Sequence, residues 1–300
     1  MLSLERTWSC EFPESRRLNA RLMLTVPRYD KNATDSPLLR LPPELRNRIW
    51  SLVLGGKTIH VEFSFRPRPK RLVICHHVCK SALNERNFAL SLKTNFGRDE
   101  NYENSFALRH SQCFGAVDDE NRDLNRLHLG VLQVCRQIHK EAALLPYKEN
   151  TFAFQTMRDM EPFLKALFPA QAHAISRMVV DTTFAYFLTT NAHATKTYAR
   201  LMQTRLRGLS DLAVIFNGYE FDDKNFALHL GRDRLRDWEA ALMQFATSPL
   251  STVVIAFHDN FSLHPAPAFG DPSSPSYNIA REWMKKMEQK LVAGKEDSSS

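Results

Sequence analysis

The residues of this 300-residue chain best suited to chemistry are cysteines and histidines in its first half. Cys75-His-His-Val-Cys79, with His110 and Cys113 further on, contains the side chains that ligate zinc. Zinc requires four such groups in a tetrahedron, and the spacing matches no finger pattern. From spacing alone the segment reads as a strand end with a buried cysteine, and no metal or cofactor is assigned. Gly55-Gly-Lys-Thr58 imitates the end of a phosphate-binding loop. That loop needs a glycine where Ser51 stands, a strand before it and a helix after it, and the surrounding pattern has the reverse order. Asp181, Asn217, His258 and Asp259 follow short apolar runs, where open α/β sheets bind ligands. A histidine beside an aspartate can do acid–base work. Aspartate and asparagine also make turns and helix caps there, and no nucleophile elbow, metal-binding His pair or Gly-rich loop accompanies them. No catalytic residue is assigned, and the chain is not expected to be an enzyme.

The elements that must position these groups follow from periodicity. Leu41-Pro-Pro-Glu-Leu-Arg-Asn-Arg-Ile-Trp-Ser-Leu-Val-Leu54 is a short amphipathic helix entered through two prolines, whose preset φ and missing N–H suit a first turn. Leu41, Leu45, Ile49, Leu52 and Val53 form its apolar stripe, with Glu44, Arg46, Asn47 and Arg48 facing away. Gly55-Gly56 supplies a left-handed exit. Thr58 to Phe65 alternates as a half-buried strand, with Ile59, Val61, Phe63 and Phe65 inward and His60 outward. Leu72-Val-Ile-Cys75 returns as its partner. Residues 80–123 are polar, with Gly97, Gly115 and Asp118-Asp119-Glu120 as loop markers, and read as an insert. A long helix is expected from Leu124 to Leu145 on the stripe Leu124, Leu127, Val131, Val134, Ile138, Ala142 and Leu145, ended by Pro146. Asn150 to Phe154 is a short strand. Met178-Val-Val180, Leu212 to Phe216 and Val253 to Phe257 are continuous apolar runs, which fit strands buried on both faces. Helical stretches at 193–207 and 232–245 separate them, so the sheet is expected to be mostly parallel with right-handed crossovers. Ala280 to Leu291 is a last helix.

Composition sets the outer bounds. The chain carries a net charge of +7 and a pI near 9.2. That balance permits contact with nucleic acid or acidic proteins without demonstrating it. The basic residues concentrate at Arg66-Pro-Arg-Pro-Lys-Arg71, which reads as a solvated hairpin turn. Five cysteines without framework spacing fit reduced thiols, and the early charges Glu5 and Arg6 do not suit a secretory signal. No apolar run is long enough to span a bilayer. The expected location is intracellular, cytoplasmic or nuclear, with no membrane contact.

Two segments carry a family resemblance. Leu38 to Val61 contains Leu41-Pro-Pro-Glu-Leu-Arg-Asn-Arg-Ile-Trp50, and Leu129 to Phe154 contains Leu132-Gln-Val-Cys-Arg-Gln-Ile-His-Lys-Glu-Ala142. Together they resemble a large group of filamentous-fungal proteins with an F-box-like domain of unknown function. In that resemblance residues 41–54 match the first F-box helix and Val134-Cys-Arg136 a later one, although here a strand pair and a polar insert separate the halves. The fold class expected is α/β with α+β character in the N-terminal half. A loose arm at 1–36 leads into a split F-box-like region at 37–155 with its insert at 80–123. A strand–helix array follows at 156–292, and a disordered tail at 293–300. The resemblance implies a protein–protein interaction module recruiting a Skp-type adaptor of a cullin ubiquitin ligase, with Leu41, Pro42, Leu45 and Ile49 docking the adaptor and the array holding a target protein. The alternatives are a nucleic-acid-associated protein using the basic face, or a small-molecule enzyme at the strand ends.

Overall fold

The structure is a computed structural model. It describes residues 34–67, 70–81, 84–94, 110, 113, 127–155, 157–182, 200–217, 238–258 and 275–294. The N-terminal arm, the C-terminal tail and the polar stretches near Gly97 and Asp118 lie almost wholly outside these residues.

One six-stranded sheet organises the chain, with strand order β2-β1-β3-β4-β5-β6. The strands are β1 (Thr58–Pro67), β2 (Lys70–Val78), β3 (Thr151–Phe154), β4 (Arg177–Thr182), β5 (Asp211–Asn217) and β6 (Thr252–His258). β1 and β2 form an antiparallel hairpin, and every other neighbouring pair is parallel. The basic run closes the hairpin, with Arg66 opposite Arg71 and Pro67 opposite Lys70. This is the mixed α/β architecture expected, and the sheet runs without a break through residue 155.

From β1 through β3 to β6 the parallel strands are laid down in one direction. Right-handed crossovers in such a series place their helices on one face. That face carries Ile59, Val61, Phe152, Phe154, Met178, Val180, Leu212, Val214 and Ile255. Against it pack Met160, Phe163 and Leu164 of α5 (Met157–Ala166), Met202 and Leu206 from the helical residues 200–205 and the turn after them, and Leu242 and Phe245 near the 3-10 turn Met243–Phe245. Phe216, Phe257, Trp238 and Trp283 meet at the carboxyl end, with Phe216 stacked on Trp238 at 4.8 Å. The opposite face is lined by smaller residues, Ala153, Val179, Ala213, Val254 and Ala256. Small side chains allow close approach of α2 (Glu85–Thr94), which buries Phe88, Ala89 and Leu92 there. The stretch read as a polar insert therefore supplies the cover for half of the sheet.

The last helix, α6 (Pro275–Ala293), packs beside the edge strand β6. Glu288 accepts the Ile255 backbone N–H at 2.7 Å and pairs with Lys93 of α2 at 2.7 Å. An edge strand with an N–H group claimed in this way is a poorer template for another strand.

The expected long helix at 124–145 is broken. A 3-10 turn, Leu129–Gln133, is followed by α3 (Arg136–Ala142) and a short α4 (Leu145–Lys148). Cys135 is fully extended, with φ −157 and ψ 164, and starts α3 as its N-cap. The break rotates Val134 outward to 70 % exposure, while Leu132, Ile138 and Ala142 stay buried. Pro146 lies in the first turn of α4, where proline is tolerated, and does not end a helix.

Candidate functional site

α1 (Pro43–Leu54) is built from the inside out by a charged residue. Its buried line is Arg46, Trp50 and Leu54, spaced four apart, so Arg46 faces inward and not away. The reason is Glu141 on α3, 95 residues later in sequence. Arg46 Nε donates to Glu141 Oε2 at 3.1 Å and Nη2 donates to Oε1 at 2.6 Å, a two-pronged pair. Arg46 Nη1 also donates to the carbonyls of Leu39, at 3.0 Å, and Leu41. Trp50 Nε1 and Gln137 Nε2 donate to the same carboxylate at 3.2 and 3.1 Å. These donors, Arg46 first, hold the Glu141 carboxyl down at about 2.

The far end of the helix is fastened as firmly. Gly56 takes φ +71, a left-handed backbone that suits glycine. Gly55 lies against Glu149, whose Oε2 would stand 2.4 Å from an added Cβ. Asn150 is fully buried and receives the Lys57 backbone N–H at 2.8 Å. It donates to the carbonyls of Leu54 and Pro146 at 2.6 and 2.8 Å, tying α1, α4 and the start of β1 together. Lys57 Nζ reaches the carbonyls of Val53 and Gly55 at 2.9 and 3.1 Å. The Gly-Gly-Lys sequence thus ends a helix and precedes a strand, the order that excludes a phosphate loop.

This inward anchoring decides where the sequence-predicted docking residues lie. Pro42 and Leu45 are exposed, Leu45 at 49 %, while Leu41 and Ile49 are half-buried. Ile49 and Val53 also pack against the small core of Leu39, Trp50, Leu54, Leu132, Ile138 and Ala142. Leu52 is 75 % exposed and stands seven residues after Leu45, on the same side of the helix. Sequence reasoning placed Leu52 on the stripe but not in the docking set.

A second site lies beside the first residues of β1. His60 Nδ1 or Nε2, Cys79 Sγ, His110 Nδ1 or Nε2 and Cys113 Sγ offer ligand atoms that all lie within 4.8 Å of one another. His60 shares its register row with Ala153, Val179, Ala213 and Val254, so it points to the α2 face and is fully buried, not outward in water. Cys79 follows β2 and is held by its N–H to the Thr58 carbonyl at 2.8 Å. His110 and Cys113 sit on one turn, closed by Cys113 N to His110 O at 2.7 Å. His110 Nδ1 faces both sulfurs, 3.6 Å from Cys79 and 3.7 Å from Cys113. Its Nε2 pairs with the buried carboxylate of Glu85 in the first turn of α2. The two imidazole rings lie 4.1 Å apart. The Lys80 backbone N–H donates to Cys113 Sγ at 3.3 Å. A hydrogen bond from Cys79 holds the Cys113 thiol pKa far down, and the same bond, with burial, pushes Cys79 up. Burial lowers the pKa of His60 and so favours its neutral form.

Of the cysteine and histidine residues weighed from sequence, Cys79, His110 and Cys113 come together and Cys75, His76 and His77 do not. Cys75 pairs with Glu62, further along the hairpin, and His77 reaches Glu62 at 3.2 Å. His60 was not among the residues weighed, because strand alternation assigned it to solvent.

The strand ends hold a less developed arrangement. Asn217 and His258 occupy one register row at the carboxyl ends of β5 and β6. Asp181 is 1 % exposed and lies in the row of Ile215 and Ala256, below that end. Asp259 lies outside the described residues.

Among the described residues no helix is long and apolar enough to cross a membrane. No curated protein and no solved structure matches the chain. A family model covers residues 31–214, from just before α1 into β5, and takes in both segments joined by Arg46 and Glu141 as well as the cysteine–histidine cluster. The chain belongs to that family, described as a domain of unknown function, DUF7730.

Proposed function

We propose that the protein is a protein–protein interaction module that docks a partner through the outer side of α1. The observation carrying this reading is the 49 % exposure of Leu45 and 75 % exposure of Leu52 on one side of a helix whose other side is sealed by Arg46, Trp50 and Leu54. Exposed apolar side chains grouped on a rigidly held helix suit a groove or helix face on a partner. Pro42 extends this side at the helix entrance, and Ile49 lies between the two leucines at half-burial. The F-box resemblance of residues 41–54 makes a Skp-type adaptor of a cullin ubiquitin ligase the occupant, and the sheet with its helices the part that holds a target.

The test is binding of the purified full chain to a purified Skp-type adaptor by calorimetry or biolayer interferometry. Leu45→Asp with Leu52→Asp is expected to weaken binding at least tenfold while leaving the melting temperature within a few degrees, because exposed positions contribute little to stability. Ile49→Asp is a poorer probe because Ile49 also packs on the core under the helix. Absence of binding by the folded wild-type chain overturns the adaptor reading. Retention on heparin with a steep salt dependence, lost on replacing Arg66, Arg71 and Lys70, would move the function to the basic hairpin tip.

A further inference from the structure

We propose that His60, Cys79, His110 and Cys113 bind one zinc ion as a closed structural site. The donor set is two sulfurs and two imidazole nitrogens, which is a tetrahedral zinc set. The distances support it. Zn–S bonds near 2.3 Å and Zn–N bonds near 2.0 Å at tetrahedral angles set the ligand atoms roughly 3.6 Å apart. His110 Nδ1 stands 3.6 and 3.7 Å from the two sulfurs. All four ligand atoms converge within 4.8 Å, and neither Cys79 nor Cys113 is in a disulfide.

The surroundings are those of a metal site and not of a chance contact between two thiols. His110 directs Nδ1 at the sulfurs and Nε2 at Glu85, so the buried carboxylate fixes which nitrogen is turned toward the ligand sulfurs. A carboxylate behind a ligating histidine orients the ring and raises its basicity. The Lys80 N–H donates to the Cys113 sulfur at 3.3 Å, a contact that steadies a thiolate. Burying the Cys113 thiol, two imidazoles and a carboxylate together, with the Cys79 thiol half-buried beside them, is costly unless their charge and lone pairs are used. A divalent cation neutralises two thiolates and uses a lone pair of each imidazole. With four protein ligands no position is open to a substrate, so the site is structural and not catalytic.

The ligands come from three places: β1, the end of β2, and the turn at 110–113. Through Glu85 the site also holds the start of α2. Zinc therefore staples the hairpin, the cover helix of the second sheet face, and a turn 31 residues beyond Cys79 into one unit. This role is independent of docking by α1.

The experiment is zinc analysis of the full chain, purified under reducing conditions without a polyhistidine tag or chelator, followed by replacement with Co(II). One zinc per chain is expected, with a Co(II) spectrum showing tetrahedral d–d bands in the visible and a sulfur-to-cobalt charge-transfer band in the near ultraviolet. Cys79→Ser and Cys113→Ser should lose the metal, whereas Cys75→Ser and Cys135→Ser should keep it. Glu85→Gln should keep it with affinity lowered roughly 10–100-fold, as expected of a positioning residue. Should the ligand variants fail to fold, chelating the wild-type chain and titrating Co(II) back into it gives the same spectral readout. A folded, reduced wild-type chain with neither bound zinc nor a tetrahedral Co(II) spectrum overturns the proposal. So does a Cys79–Cys113 disulfide in protein alkylated directly from a reducing cytosol.

Discussion

Removing the Glu141 carboxylate would take from the buried Arg46 guanidinium its charged partner, although the Leu39 and Leu41 carbonyls still accept from it. Glu141→Ala is expected to cost about 3 kcal/mol, since breaking a buried pair strands a charge, and Arg46→Ala a similar amount; urea unfolding measures both. The same pair gives an acid signature. The Glu141 carboxyl titrates at about 2 when folded against an ordinary value of 4.5, so its contribution is complete above about pH 5 and is lost as pH falls towards 2. Wild-type stability should fall over that window, and the fall should be shallower in Glu141→Gln. Gly55→Ala is expected to destabilise by roughly 1–3 kcal/mol because its Cβ would meet Glu149 and the Ser51 carbonyl. Periodicity could not reveal the inward turn of Arg46. A charged residue beside a leucine stripe reads as solvent-facing, and what reverses that is a carboxylate 95 residues away. His60 was hidden for a related reason: alternation separates two faces of a strand but does not tell that both are covered.

At the scale of elements, strands with continuous apolar runs were readable. Val179, Ala213 and Val254 face α2 while Met178, Leu212 and Val253 face the larger core, so no polar alternation is needed. The helix expected at 124–145 was not readable, because its break is made by an extended Cys135 without a glycine or proline to mark it. α2 was missed because three buried apolar residues, Phe88, Ala89 and Leu92, with Leu90 exposed among them, give too little period to stand out in a short helix. Asn150 shows how separate elements become one. Asn150→Ala would orphan the Leu54 and Pro146 carbonyls and the Lys57 N–H, so a loss of about 2–4 kcal/mol is expected. Hydrogen exchange should show faster opening at the α1–β1 junction in that variant. Glu288→Ala should likewise free the Ile255 N–H and raise exchange along β6, with a smaller effect on global stability.

For the whole molecule, the sheet joins two regions that differ in sequence grammar. A rigid α/β body carries α1 at one end of β1, where the family-model region begins. The inward side of α1 is consumed by Trp50, Leu54 and the Arg46–Glu141 pair, which leaves Leu45 and Leu52 exposed. The α/β class and the place of the helix were legible in the sequence. The division of the helix between holding the fold and facing outward was not, because it depends on what α3 brings to it. The most direct test of docking through this side is the affinity of the full chain for a purified Skp-type adaptor, measured for wild type and for the Leu45→Asp, Leu52→Asp double variant at matched thermal stability. The account predicts a saturable one-to-one complex with wild type and at least a tenfold loss in the variant. A folded wild-type chain that does not bind, or a variant that binds equally well, would contradict it.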